Sequence, residues 1–338
     1  MHRFSYLMLV TLLFFSSSTL AEKYEITVLA TNIANFGGFG EWSFSALYEG
    51  ENESILFDTG WDDNTVLHNA KILNKDLSKV EKVVLSHWHF DHTGGLLALR
   101  NRYKNINENA FSKVYVAEGF FIQRYMHSQH WPNGRKIIGT SEKTTDATEP
   151  EPIGPGNFAF SADFKKAAET AGIEFIEVKK VTKVAPAIYV TGPVRKVSES
   201  RMVPGHIFIK KGDAFKIDPI VDDQSIGYMT ESGWLVMSGC GHAGLINTSE
   251  VLLEVDNKPI YSALGGFHLY NASSARVDKT GHWLKEKGLG LFMGGHCTGI
   301  TSAERIANIV GLDREKLSHA AVGSVVTKDL EFIRSSVE

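Results

Sequence analysis

From Tyr24 onward, short apolar runs of strand length alternate with longer segments in which apolar positions recur every three or four residues. This is the rhythm of a layered α/β protein. Tyr24–Thr31, Ser43–Tyr48 and Ser54–Phe57 predict strands, with the turn-forming Glu49-Gly50-Glu51-Asn52 between the last two. A helix over Asn64–Leu73, a strand at Lys82–Leu85, a helix over Leu96–Tyr103 and a strand at Lys113–Ala117 follow. The rhythm then breaks: Trp131 to Asn157 is rich in Pro, Gly, Thr and Glu and has no period, the mark of a lid or a mobile insertion spanning about residues 118–157. It resumes with a helix over Ala162–Ala171 and strands at Glu174–Val178, Ala187–Val190, Ser225–Met229 and Trp234–Met237. After these come a helix over Gly244–Val255, a strand at Ile260–Leu264, a helix over Ala275–Lys287, a strand at Leu289–Met293 and a helix over Ala303–Val310. No Gly/Ser-rich or charge-run linker separates the halves, so residues 22–338 read as a single α/β domain.

The first residues follow another pattern. Met1-His2-Arg3 is a short positive region, Phe4 to Phe15 is mostly apolar, and Ser16 to Ala21 is a small-residue stretch. Together they predict a secretory signal peptide over residues 1–21, cleaved near Ala21. Its apolar run is shorter than the roughly 20 residues that span a bilayer, so no stable span is expected in the mature chain. The protein is then expected in the periplasm or outside the cell. Composition is ordinary for a globular chain, with 43% hydrophobic and 22% charged residues, which excludes collagen-like, coiled-coil and disordered classes. Lys and Arg total 35 against 39 Asp and Glu, a net charge of -4, which argues against nucleic-acid partners. Two cysteines cannot build a disulfide-dense scaffold.

The chemistry concentrates in Leu85-Ser86-His87-Trp88-His89-Phe90-Asp91-His92-Thr93-Gly94-Gly95. Strand side chains alternate, so His87 and His89 point the same way at the end of the Lys82–Leu85 strand and can share a cation. Asp91 and His92 lie just past the turn, and Gly94-Gly95 allows the backbone to fold back closely. Three imidazoles and a carboxylate suit zinc or a similar transition metal better than calcium or magnesium. Three further histidines follow apolar strands in glycine-rich loops: His242 in Gly239-Cys240-Gly241-His242, His268 in Gly265-Gly266-Phe267-His268, and His296 in Gly294-Gly295-His296. Asp58 follows its strand in the same way, in Phe57-Asp58-Thr59-Gly60. Ligand sites of α/β proteins gather at such strand ends.

These motifs resemble the metallo-β-lactamase-fold superfamily, whose signature is His-x-His-x-Asp-His. The finer pattern, through Phe57-Asp58-Thr59-Gly60, Gly239-Cys240-Gly241-His242-Ala243-Gly244, Gly265-Gly266-Phe267-His268 and His296-Cys297-Thr298-Gly299, is similar to the 7,8-dihydropterin-6-methyl-4-(β-D-ribofuranosyl)aminobenzene-5'-phosphate synthase branch. The resemblance runs from about Tyr24 to Ser324, the insertion excluded. It implies a four-layer αββα sandwich with two divalent metal ions at the sheet edge, zinc first, with manganese or iron as alternatives. By motif, His87, His89 and His242 would hold one ion and Asp91, His92 and His296 the other, with Asp58 supporting them from behind. Where many members carry a bridging Asp, this chain has His268. Asp91 and His268 are the candidate catalytic residues.

Two such cations would generate hydroxide near neutral pH and polarise a carbonyl or phosphoryl oxygen, which predicts hydrolysis of a small ester, phosphoester, lactone or amide. Two alternatives stand beside this reading: a transferase like the synthase of that branch, and a non-catalytic metal or redox sensor using the cysteines. Cys240 and Cys297 are expected as buried packing residues, as further metal ligands or as a disulfide pair. Arg124 and Trp131, near the insertion, and Cys240 and Cys297, beside the proposed ligands, are candidate substrate contacts, and Arg124, Arg135 and Arg201 are candidates for binding an anion. The expected partner is a small-molecule substrate.

Overall fold

The computed structural model describes residues 24–126, 151–152 and 159–337. The leader-like segment and Trp131 therefore lie outside the described residues. Two large sheets dominate. The first orders the strands Phe332–Ile333, Val325–Thr327, Glu25–Ala30, Ser45–Glu49, Ser54–Phe57, Lys82–Val84, Lys113–Ala117 and Glu174–Val178. From Ser54–Phe57 to Glu174–Val178 its neighbours run parallel, with Leu56 opposite Val83 and Val83 opposite Val114. The second orders Thr182–Ala185, Ile188–Val190, Ser225–Met229, Trp234–Ser238, Ile260–Gly265, Leu291–Gly294 and Leu317–His319, the last four parallel.

Side-chain alternation divides the apolar residues into three cores and so creates four layers. Ile55, Phe57 and Val84 of the first sheet meet Leu235, Met237, Leu264 and Met293 of the second between the sheets. The intervening residues face outward. Leu56 and Val83 pack beneath helices Thr65–Ile72, Leu96–Tyr103 and Ala162–Thr170 through Val66, Leu99 and Phe164. Trp234, Val236, Ala263 and Phe292 pack beneath helices Leu245–Leu253, Ser274–Glu286 and Ile300–Val310 through Leu252, Val277 and Ile306. The αββα sandwich expected from the motifs is the architecture seen.

Among the described residues, parts of the expected insertion at about 118–157 are built into the fold, while Arg135 and most of the stretch without period lie outside the described residues. Phe120 is buried in the outer core of the first sheet. Arg124–Met126 and Glu151–Pro152 are strands of a small antiparallel sheet completed by Ile207–Lys211 and Ala214–Ile217. Helix Ile300–Val310 begins three residues before the expected start, because Gly299 turns the chain at φ +78° directly into it. No helix among the described residues is long and apolar enough to cross a membrane.

Candidate metal centre

In both sheets the parallel strands end at one edge, and the polar loops gather there. Asp58 follows Ser54–Phe57, His87 and His89 follow Lys82–Val84, His242 follows Trp234–Ser238, His268 follows Ile260–Gly265, and His296 follows Leu291–Gly294. Asp91 and His92 sit in the one-turn helix Phe90–Thr93, with His89 at its N-cap, rather than in an open turn. That helix lies against the Asp58 loop only because residues 94 and 95 are glycines. A Cβ on Gly94 would stand 1.9 Å from the Trp61 carbonyl oxygen, and one on Gly95 2.3 Å from that of Thr59.

The rings of His87, His89 and His242 converge, with centroids 4.4 Å, 4.8 Å and 5.0 Å apart pairwise. All three Nε2 atoms are buried without a hydrogen-bond partner. Their tautomers follow from what binds the opposite nitrogens. His242 Nδ1 lies 2.5 Å from the Met202 carbonyl, which can only accept, so this nitrogen carries the proton and Nε2 is bare. Ser86 Oγ donates to Asp58 Oδ2 (2.8 Å), so it accepts from His87 Nδ1 (2.9 Å) and His87 Nε2 is bare as well. Lone pairs buried without a partner cost about 1–3 kcal/mol each, and a cation removes that cost. Burial, reinforced by the crowding of like rings, pushes the imidazolium forms of His87 and His242 well below their usual range; burial takes His89 down to about 3. All three are therefore neutral at physiological pH, the form that binds a metal.

A second group meets beside the first. Asp91 Oδ2 stands 3.5 Å from His92 Nε2 and 3.4 Å from His296 Nε2, and Cys240 Sγ stands 3.2 Å from each of those nitrogens. The donor atoms of these four residues all lie within 4.8 Å of one another. Asp58 Oδ2 accepts from His92 Nδ1 at 2.7 Å, which turns His92 Nε2 toward this group. Burial opposes ionisation of Asp91, but the neighbouring His92 and His296 outweigh it and hold its carboxyl well below the usual carboxylate range. Burial opposes the charging of His296 too, yet Cys297 and Asp91 push it up to about 10. His92 is likewise raised, with Asp91 and Asp58 overcoming burial. The two groups thus differ: the three-histidine set is neutral and bare, whereas the Asp91 set holds protons that an entering cation displaces.

The structure brings His87, His89, Asp91, His92, His242 and His296 to one place, with Asp58 behind them. His268 is half-buried at φ +48°, its ring 4.4 Å from that of His242 and 5.4 Å from that of Tyr270, and its Nδ1 has no hydrogen-bond partner. Cys240 and Cys297 are both free, so the expected alternative of a disulfide does not hold. Arg124 is not a substrate contact. It is fully buried, its guanidinium paired with Asp218 (3.1 Å) and Asp222 (2.8 Å) and donating to the carbonyls of Phe120, Ile122 and Gly119. Arg201 is likewise used up on the carbonyls of Val194, Pro219 and Ile220. Two features escaped the sequence reading. Ser86 links Asp58 to His87, signalled only by its place beside the first histidine. Trp42 and Tyr270, 44% and 50% exposed, stand over the site, with Trp42 5.0 Å from the His296 ring and 5.5 Å from Tyr270.

Two facing sheets between helices, with a histidine and carboxylate cluster at the ends of the parallel strands, define the metallo-β-lactamase fold, and this chain has that fold. Residues 43–108 match the family described as the metallo-beta-lactamase superfamily. A crystal structure described as a metal-dependent hydrolase of the beta-lactamase superfamily shares the fold, with a TM-score of 0.65 at 24% identity, over 89% of this chain and 98% of that one. Among curated proteins, the chain is 26% identical over 306 residues to the 7,8-dihydropterin-6-methyl-4-(beta-D-ribofuranosyl)-aminobenzene-5'-phosphate synthase of Methanocaldococcus jannaschii, covering 88% of this chain and 95% of the relative. It is also 28% identical over 284 residues to an uncharacterized protein of the same organism, covering 84% and 94%.

Proposed function

We propose that the protein is a two-metal enzyme that carries out group transfer on a small molecule bearing a planar ring, the kind of activity named for its synthase relative. The observation that carries the metal reading is the set of three buried Nε2 atoms without partners, on His87, His89 and His242, beside the Asp91, His92, His296 group. The likeness to the synthase over nearly the whole of both chains supports the transfer reading. The exposed rings of Trp42 and Tyr270 beside His296 and His268 support the ring-bearing substrate, because aromatic faces at a site mouth favour stacking with planar groups.

In this reading His87, His89 and His242 hold one divalent cation and Asp91, His92 and His296 the other. Cations there supply electrophilic polarisation of a substrate oxygen and lower the pKa of a coordinated nucleophile. The chain's own residues do the rest. Asp91 stays ionised and can take a proton from an attacking group. Asp58 orients His92 directly and His87 through Ser86. The second reading, hydrolysis of a small ester, phosphoester, lactone or amide, is favoured by the same ionised Asp91, since that proton acceptor serves water equally well. Export after residue 21 is part of the proposal; N-terminal sequencing of the protein from the extracellular or periplasmic fraction checks it.

Purified protein assayed with a reduced pterin carrying a leaving group such as diphosphate on its 6-methyl carbon and an aminobenzene acceptor, with release of that leaving group followed, and in parallel with ester, phosphodiester and lactone panels, separates the two readings. Transfer is expected, abolished by chelation and by His87→Ala. Hydrolysis without transfer would install the second reading, and no turnover with either set would leave the enzyme proposal without support.

A further inference from the structure

Cys240 is the one residue whose donor atom joins all three groups of closely spaced metal-ligating atoms among the described residues. It reaches the site from the same loop as His242, and it is buried. Its sulfur lies 3.2 Å from His92 Nε2 and 3.2 Å from His296 Nε2, while Asp91 Oδ2 lies 3.5 Å and 3.4 Å from the same two nitrogens. Four donors placed tetrahedrally about a zinc-like ion at about 2.0–2.3 Å stand roughly 3.3–3.8 Å apart. The spacing of these atoms approaches that figure before any ion enters.

We propose that Cys240 supplies a thiolate as the fourth protein ligand of the Asp91, His92 and His296 position. This rests on the two-metal reading above and deepens it. A carboxylate, two imidazoles and a thiolate form a closed tetrahedral set, whereas the three imidazoles of His87, His89 and His242 leave a fourth position open. Closed sets are the habit of structural zinc and open ones of catalytic zinc. The two positions would then divide the work: the cysteine-bearing one anchors and orients, and the three-histidine one meets substrate. A thiolate also biases that position toward zinc, cobalt or cadmium and away from magnesium and manganese. Cys297 has a different task, since its sulfur accepts from the His268 backbone N–H (3.3 Å) and lies 3.5 Å from the Cys240 carbonyl oxygen, tying two loops together.

The test is spectroscopic and needs no turnover. The full chain is loaded with cobalt(II) as wild type, Cys240→Ser and Cys297→Ser, and the near-ultraviolet thiolate-to-cobalt charge-transfer band is followed during titration. Wild type and Cys297→Ser should show the band, and Cys240→Ser should lose it. Cys240→Ser should also bind its second equivalent on the order of ten- to a hundredfold more weakly, while keeping the first. Retention of the first equivalent shows that the variant has folded. The proposal is overturned if wild type binds two cobalt ions with no thiolate band, or if the band survives in Cys240→Ser. Failure of the two-metal reading looks different, because wild type would then retain no cobalt, and this assignment would fall with it.

Discussion

Asp58 governs more of the centre than its distance from the substrate mouth suggests. One carboxylate oxygen accepts from His92 Nδ1 and from Ser86 Oγ, the other from the Ser86 backbone N–H at 2.6 Å, so a single buried group sets imidazoles in both halves of the site. Asp58→Asn should weaken metal binding about 10- to 100-fold with little loss of fold, read by competition with a chromophoric chelator. Unchanged affinity would show that the two rings are held by other means. Gly239 is equally constrained: a Cβ there would stand 2.3 Å from Ser86 Oγ and 2.4 Å from Asp58 Oδ2. Gly239→Ala should therefore cost about 1–3 kcal/mol by overpacking, measured as a shift in the denaturant midpoint, and should lower metal affinity in parallel. The pH behaviour follows from the opposed shifts. Protons compete for His296, raised to about 10, at every pH below that value, while His89, lowered to about 3, is free of them down to strongly acid conditions. On dialysis from about pH 8 to about pH 5, the ion at the Asp91, His92, His296 position should leave first, and metal per chain should fall in two steps. A single step would contradict the assignment of two unlike positions.

At the level of strands and helices, the site was legible where local pattern decides structure. Ser54–Phe57, Leu96–Tyr103, Lys113–Ala117 and Ser225–Met229 lie where apolar alternation or helical spacing places them, because each packs apolar residues into a core; Glu174–Val178, more polar, lies at the sheet edge and packs chiefly through Phe175. The loops that carry Asp58, His242, His268 and His296 were recognisable from polar residues set in glycine after apolar strands. What the pattern could not reveal depends on distant pairing. Arg124–Met126, Ile207–Lys211 and Ala214–Ile217 are short and partly polar; the last two form a local hairpin, and Arg124–Met126 becomes a strand by pairing with it from some eighty residues away. Arg124 reads as a surface anion binder for the same reason, since its partners Asp218 and Asp222 arrive from elsewhere in the chain. Burial takes Asp222 up to about 7 even with that guanidinium beside it, a sign of how little water reaches the pair. Arg124→Met should accordingly destabilise the protein by about 3–5 kcal/mol through the carboxylates left unpaired, seen as a lower denaturant midpoint. A change below about 1 kcal/mol would mean that the small sheet contributes little to the fold.

For the molecule as a whole, two sheets hold the centre between them, the first built from the N-terminal half and closed at one edge by the C-terminal strands Val325–Thr327 and Phe332–Ile333, the second from residues 182–319. His87, His89, Asp91 and His92 come from the first sheet, and Cys240, His242 and His296 from the second. Cations bound across that edge would tie the sheets together, so chelation should lower the melting temperature and re-addition of zinc should restore it, by the ordinary linkage of binding to stability. The most direct measurement is the metal content of purified protein, by elemental analysis, for wild type, His87→Ala and His296→Ala. The account predicts close to two divalent ions per chain in wild type and close to one in each variant. Wild-type protein that holds no more than trace metal after equilibration with zinc would contradict it.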